Sequence, residues 1–381
     1  RFVRARLDYR PMQYLYNDRG TLIGAKELQH EVTRSEDLFG NWTEYEIINT
    51  YTIVASGQAK LDTSESRLRR SFDVDGTKST QVQAPIVQYQ YNEKTGAVEG
   101  ANEIQHGIMK SEDTFGNWTE FETRNTYTIV ASGQVKVDTS QSILRDSFNV
   151  DGSILTQTQR PVVQYQYNEK TGVVEGAKEI QQGRMKTEDV FGNWTEYETI
   201  NTYTVVASGQ VKVDTSESGL ADSHNIDESE LTQIQTSIVQ YQYNEKTGVI
   251  EGAKEIQSGI MRTEDVFGNW TEYETKNTYR LVASGQVKVD TSESILKGSF
   301  NVDGSVLTQT QTPIVKYQYN EKTGVIQGAI EIQHGRIRTE DIFGNVTYTE
   351  STPSGSAIEE SEGQILGAAD QVFDDAGSVS S

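Results

Sequence analysis

An all-β fold built from repeated hairpins is what this sequence predicts, and three observations predict it. The quartet Phe-Gly-Asn-Trp occurs at Phe39 to Trp42, Phe115 to Trp118, Phe191 to Trp194 and Phe267 to Trp270. A fifth copy, Phe343-Gly344-Asn345-Val346, lacks only the tryptophan, and each copy follows the last by 76 residues. Glycines in turn-forming clusters divide each repeat again. Composition agrees: 34% hydrophobic residues, 32 Gly and 19 Tyr suit sheet with many turns better than helix bundles. A chain repeating at fixed register stacks each unit on the next, and such arrays serve as scaffolds, spacers or binding surfaces.

In chain order, residues 1–15 read as an irregular, basic entry with four arginines before Pro11, the end of a preceding repeat. The array is expected over 16–350. Its copies are nearly identical: Val87 to Gly96 reappears as Val163 to Gly172 and Val239 to Gly248, and Val315 to Gly324 differs only by Lys316. Identical interfaces favour a uniform rod, ribbon or tube.

Within a repeat, Gly96, Gly116, Gly133, Gly152 and then Gly172 are separated by 20, 17, 19 and 20 residues. Each sits among turn formers such as Asn92-Glu93-Lys94-Thr95 or Asn149-Val150-Asp151, and glycine supplies the positive φ that hairpin turns require. Four hairpins per repeat follow. The flanks alternate as strands do, with Val87, Tyr89 and Tyr91 on one face and Gln88 and Gln90 on the other. A period near 19 residues leaves two strands of about 6 to 8 residues beside their turns, hence eight strands per repeat. Pro85, Pro161 and Pro313 share one position, where the third copy has Ser237. Proline belongs at a strand start or edge, so one hairpin hands over to the next there. Residues 351–381 turn to Ser, Gly and Glu, yet Phe373 to Val379 recovers the pattern, so this segment reads as a diverged continuation.

The recurring word is an aromatic, Asn or Asp, two or three residues, Gly, then a polar and an apolar residue, as in Phe148-Asn149-Val150-Asp151-Gly152-Ser153-Ile154 and Phe373-Asp374-Asp375-Ala376-Gly377-Ser378-Val379. It resembles the tyrosine-aspartate (YD) repeat of Rhs proteins, teneurins and the shells of insecticidal toxin complexes. The resemblance implies an extended spiral or tube of YD-type β-hairpins in a secreted or surface-displayed bacterial protein. In Rhs relatives the spiral closes around a toxic segment.

Several classes of function fall away. A net charge of −22 and a pI near 4.6 repel phosphate-rich partners, so no nucleic acid is expected. There is no cysteine, hence no disulfide, thiolate metal site or cysteine nucleophile. No apolar run reaches the roughly 20 residues of a membrane helix. No Ser/His/Asp set recurs, so no enzyme and no cofactor is expected.

The remaining candidates repeat with the array. His30, His106 and His334 share one position with Gln182 and Ser258, which reads as surface decoration. Asp73-Val74-Asp75-Gly76 and its copies resemble fragments of calcium loops, but the third copy, Asn225-Ile226-Asp227-Glu228, has lost the glycine, so a turn is expected. Asn41-Trp42-Thr43, Asn117-Trp118-Thr119, Asn193-Trp194-Thr195, Asn269-Trp270-Thr271 and Asn345-Val346-Thr347 satisfy the N-glycosylation sequon, with tight turns as the alternative. Paired acids such as Glu112-Asp113 read as solvated strand ends. Trp42, Trp118, Trp194 and Trp270, with Tyr45, Phe121, Tyr197 and Tyr273 three residues on, form an aromatic ladder suited to packing or to stacking on sugar rings. Three functions result: the wall of a surface fibre, tube or stalk that self-associates or joins neighbouring repeats; the wall of a toxin-enclosing shell; a polysaccharide-binding adhesin.

Overall fold

The computed structural model describes residues 11–131 and 133–350, so the expected continuation over 351–381 lies outside the described residues. Among the described residues the chain is all-β, and every strand pair is antiparallel. The array begins earlier than expected, because Met12–Tyr16 is already a strand.

The described residues form two compact units. The first holds 11–150 and 160–181. It opens with β1 (Met12–Tyr16), β2 (Leu22–Glu27), β3 (Glu31–Glu36), β4 (Trp42–Ile53) and β5 (Ala59–Phe72). The next repeat runs through β6 (Lys78–Gln83), β7 (Ile86–Tyr91), β8 (Val98–Gln105), β9 (Gly107–Glu112), β10 (Trp118–Ile129) and β11 (Val135–Phe148). After β12 (Ile154–Gln159), which belongs to the second unit, β13 (Val162–Tyr167) and β14 (Val174–Gln181) complete the first.

The second unit, 151–159 and 182–350, contains β12, β15 (Gly183–Glu188), β16 (Trp194–Val205), β17 (Val211–His224), β18 (Glu230–Gln235) and β19 (Ser237–Tyr243). It continues with β20 (Ile250–Gln257), β21 (Gly259–Glu264), β22 (Trp270–Leu281), β23 (Val287–Phe300) and β24 (Val306–Gln311). The last strands are β25 (Ile314–Tyr319), β26 (Ile326–Gln333), β27 (Arg336–Glu340) and β28 (Val346–Glu350).

A repeat therefore has six strands where eight were expected. Two are long, β10 with 12 residues and β11 with 14, and form one hairpin; the other four have 6 to 8. The short strands lie end to end. β6 runs into β7 and β8 into β9, so that β7 pairs with β8 and β6 with β9. The 19-residue period is thus one strand line and one turn, with the line broken at its middle. Proline marks the break in three copies, where Pro85 and its equivalents can donate no ladder bond, but the break does not require it: the line still parts at Thr236 in the copy without proline, and β8 and β9 part at His106. In the copy where Ser237 replaces proline, β19 starts one residue earlier, at Ser237.

Gly96, Gly116, Gly133 and Gly152 all take the predicted positive φ, at 72°, 94°, 75° and 82°. Beside the first three the ladder joins the two flanking strands directly, β7 to β8, β9 to β10 and β10 to β11. The turn type represented by Gly152 behaves differently. At its equivalents Gly76 and Gly304, the strands on either side make no ladder with each other: β6 pairs with β9 and β24 with β27. Pairing to the long strand resumes only at β7 on β5 and at β25 on β23.

Within each unit a glutamine fills such a gap. Gln81 accepts from the Leu68 N–H at 2.7 Å and donates to the Ser66 carbonyl at 3.0 Å. Gln309 repeats this on Leu296 and Ser294, at 2.7 and 2.9 Å, and Gln233 bonds Leu220 and Ser218 likewise. Each carboxamide stands in for one peptide group. The long strands expose these groups because each carries a bulge there; in β5 the register skips from Glu44↔Arg70 to Tyr45↔Leu68. On the opposite flank Glu103 of β8 accepts from the Asn125 N–H at 2.9 Å, and Glu255 of β20 does the same for Asn277 at 2.8 Å.

The apolar core is thin. Among the described residues only nine hydrophobic side chains are buried, and no large one is completely so. Val54, Val130, Val206 and Val282 are four of the nine, each opening an Ala-Ser-Gly turn. Gly96, Gly248 and Gly324 lie so close to Val54, Val206 and Val282 that an added Cβ would sit 2.7–2.8 Å from a valine methyl. Glycine is needed there both for φ and for space.

Candidate functional site: the tryptophan rows

The tryptophans open the long strands, and cross-strand pairing fixes their neighbours. Trp118 lies between Glu112 and Phe148, Trp42 between Glu36 and Phe72, Trp194 between Glu188 and His224, and Trp270 between Glu264 and Phe300. Directly opposed residues share a face, whereas residues three apart on a strand face opposite ways. The expected ladder therefore splits. Phe121 pairs with Met109 and Leu144, and Tyr197 and Tyr273 likewise meet methionine and leucine, on the face away from the tryptophans. Tyr45 pairs with Thr33 and Leu68 on that same face.

Each indole also carries a cation. Arg34 stands 4.0 Å from the Trp42 ring centre, Lys110 3.8 Å from Trp118, Lys186 4.4 Å from Trp194 and Arg262 4.2 Å from Trp270. Phe72 and Phe148 lie beside their tryptophans at 6.4 Å, nearly parallel, and His224 takes this place at 6.3 Å. All four tryptophans are half-buried. One ring face is spent on a cation, so a sugar would have only the other.

The sequon asparagines are structural. Asn117 donates to Asp113 Oδ2 at 2.8 Å and accepts from the Val150 N–H at 2.9 Å; Asn269 does the same with Asp265 and Val302. The acid before each Phe-Gly turn is not a loose strand end, because Asp265 Oδ1 also accepts from the Phe267 and Asn269 N–H groups. The Asn269 side-chain bond, with these backbone bonds, holds the Asp265 carboxyl below its ordinary range. The Asp-Gly turns use their acids similarly: Asp75 and Asp303 accept from the Thr77 and Ser305 N–H groups at 2.9 Å. In the copy without glycine, Glu228 itself takes a φ of 62°.

The repeated histidines keep half-exposed surface positions, each beside a carboxylate. His30 lies 3.0 Å from Glu46, His106 2.8 Å from Glu103 and His334 3.0 Å from Glu331. Beside His106, burial pushes the Glu122 carboxyl up, but Arg124 and Arg145 outweigh it and leave the group below its usual value. In the fourth copy Ser258 donates to Glu274, which Lys297 also holds at 3.1 Å, and that carboxyl too is lowered. Arg124, Arg145 and Lys297 offset the charge of these two carboxylates.

Residue patterns had pointed to the tryptophans, but not to their cations eight residues upstream, their aromatic neighbours thirty downstream, or the bridging glutamines. The available signal was recurrence: Gln81, Gln157, Gln233 and Gln309 keep one repeat position. Against known proteins, no family model and no curated protein matches this chain.

Proposed function

We propose that this chain is a structural repeat strip, the wall of an extracellular or cell-surface fibre, tube or stalk. The carrying observation is that the same devices recur within each unit, a glutamine across the bulge and an asparagine between neighbouring turns. A wall built by repetition needs identical joints. The extracellular placement rests on the resemblance to YD repeats. The four tryptophans act mainly as packing, since each is flanked by a cation and, in the first three rows, by a second ring.

Negative-stain electron microscopy of the full-length natural protein tests this. Uniform filaments or tubes with an axial repeat set by the 76-residue unit are expected. Discrete hollow particles of fixed size would replace this reading with a toxin-enclosing shell.

A further inference from the structure

The first tryptophan row differs from the others in charge. Arg67, Arg70 and Lys78 occupy positions held by Ile143, Asp146 and Ile154 in the second copy, by Gly219, Asp222 and Glu230 in the third, and by Ile295, Gly298 and Val306 in the fourth. In a chain of net charge −22, one repeat therefore concentrates cations around one indole. Pairing places Arg70 opposite Glu44, two residues from Trp42, so it shares the tryptophan's face.

A shallow, open cleft of about 450 Å³ lies there, lined by Trp42, Phe72, Arg70, Lys78, Thr77 and the acidic Asp73. Phe72 is 50% exposed. Arg34 stands over one face of Trp42 and Phe72 lies nearly parallel beside it, so the aromatic floor is the half-exposed Phe72 with Trp42 next to it. The charges are incompletely matched: Arg69 and Arg70 share the single carboxylate of Glu44, at 3.8 and 3.4 Å, and the Lys78 ammonium is 3.7 Å from Glu112 with its side chain 77% exposed.

We infer that this cleft binds a saccharide bearing a carboxylate, a uronic-acid type of sugar. The ring's C–H face stacks on Phe72 beside Trp42, the carboxylate meets Arg70 and Lys78, and a ring hydroxyl meets Thr77. A ligand with one carboxylate is favoured over a nucleic acid because the acidic chain repels a dense run of phosphates. The other three rows lack the cation pair and do not form this site.

Titration calorimetry of the whole chain with a galacturonic acid tetramer, against the neutral galactose tetramer, tests the assignment. One acidic oligosaccharide binds per chain, more weakly at high salt, and the neutral one does not. The double variant Arg70→Gln/Lys78→Gln loses at least about tenfold in affinity while its circular dichroism stays that of the parent. Lys110→Gln, at the second tryptophan, leaves binding unchanged. The assignment is overturned if the parent fails to bind, if the neutral tetramer binds equally, or if four molecules bind per chain. Equal loss on Lys110→Gln overturns it too, as does tighter binding of a single-stranded oligothymidylate.

Discussion

Asn269 joins two turns through one carboxamide. Its nitrogen holds Asp265 in its own turn, and its oxygen receives the Val302 N–H from the turn after the long hairpin. Replacing it by alanine leaves that N–H and one carboxylate oxygen without a protein partner. A net hydrogen bond is worth about 0.5–1.5 kcal/mol, more when one partner is charged, so Asn269→Ala should cost about 1–3 kcal/mol. Hydrogen exchange is the direct readout: the Val302 amide should exchange faster while the amides of β20 keep their protection. Unchanged Val302 exchange would show that the bridge carries no stability. The sequence made this residue visible as a sequon or tight-turn asparagine. It could not show the second bond, because Val302 lies 33 positions away.

Along the strands, the deciding residue is a glutamine. Gln309 replaces a missing stretch of backbone ladder between β23 and β24, supplying one donor and one acceptor to a bulge. Gln309→Ala should destabilise the second unit by about 1–3 kcal/mol, since a part-buried N–H and C=O lose their partners together. Gln309→Glu should behave differently at neutral pH: a carboxylate still accepts from Leu296 but cannot donate to Ser294. Leu296 exchange should therefore stay slow in the glutamate variant and quicken in the alanine variant. Equal quickening in both would refute the peptide-like role. Strand alternation was legible around Val87 to Tyr91, and so were the turns. The fusion of two expected strands into each long one was not, because no residue between Trp118 and Ile129 marks a break and a pattern of period two has no end of its own.

Across the molecule, one tyrosine hydrogen bond recurs in four repeats. Tyr91, Tyr167, Tyr243 and Tyr319 each donate to a carbonyl of the neighbouring long strand, at Leu61, Val137, Val213 and Val289, over 2.6–2.7 Å. They bridge the stretch where the ladder opens. Burial, with Tyr89 and Asp62 nearby, pushes Tyr91 up to about 12, and burial raises Tyr165 to about 12. Tyr127, Tyr241 and Tyr279 are raised for the same first reason. A folded-state value above the unfolded 10.0 means that the neutral form is favoured by folding. Stability from these groups is complete below pH about 10 and is lost as the pH rises toward about 12. Tyrosinate absorbance and circular dichroism recorded together should show strand loss accompanying ionisation in that window. Full ionisation near pH 10 with the sheet intact would contradict burial.

The repeat register, the all-β class, the positive-φ turns and the exclusion of cysteine chemistry came from the sequence alone, because each is a local property or a matter of counting. Glycine in a turn cluster dictates its own backbone, and a 76-residue identity dictates that what one copy does the others do. The tertiary structure decided what those copies touch. Whether Trp42 and Tyr45 share a face depended on strand geometry, and which strands the short segments pair with depended on where the strand lines break and bulge. The charge around Trp42 gained meaning only once Arg70 and Lys78, eight residues apart, were placed on either side of one turn. Such contacts arise between residues that the chain separates, and no local rule of propensity encodes them.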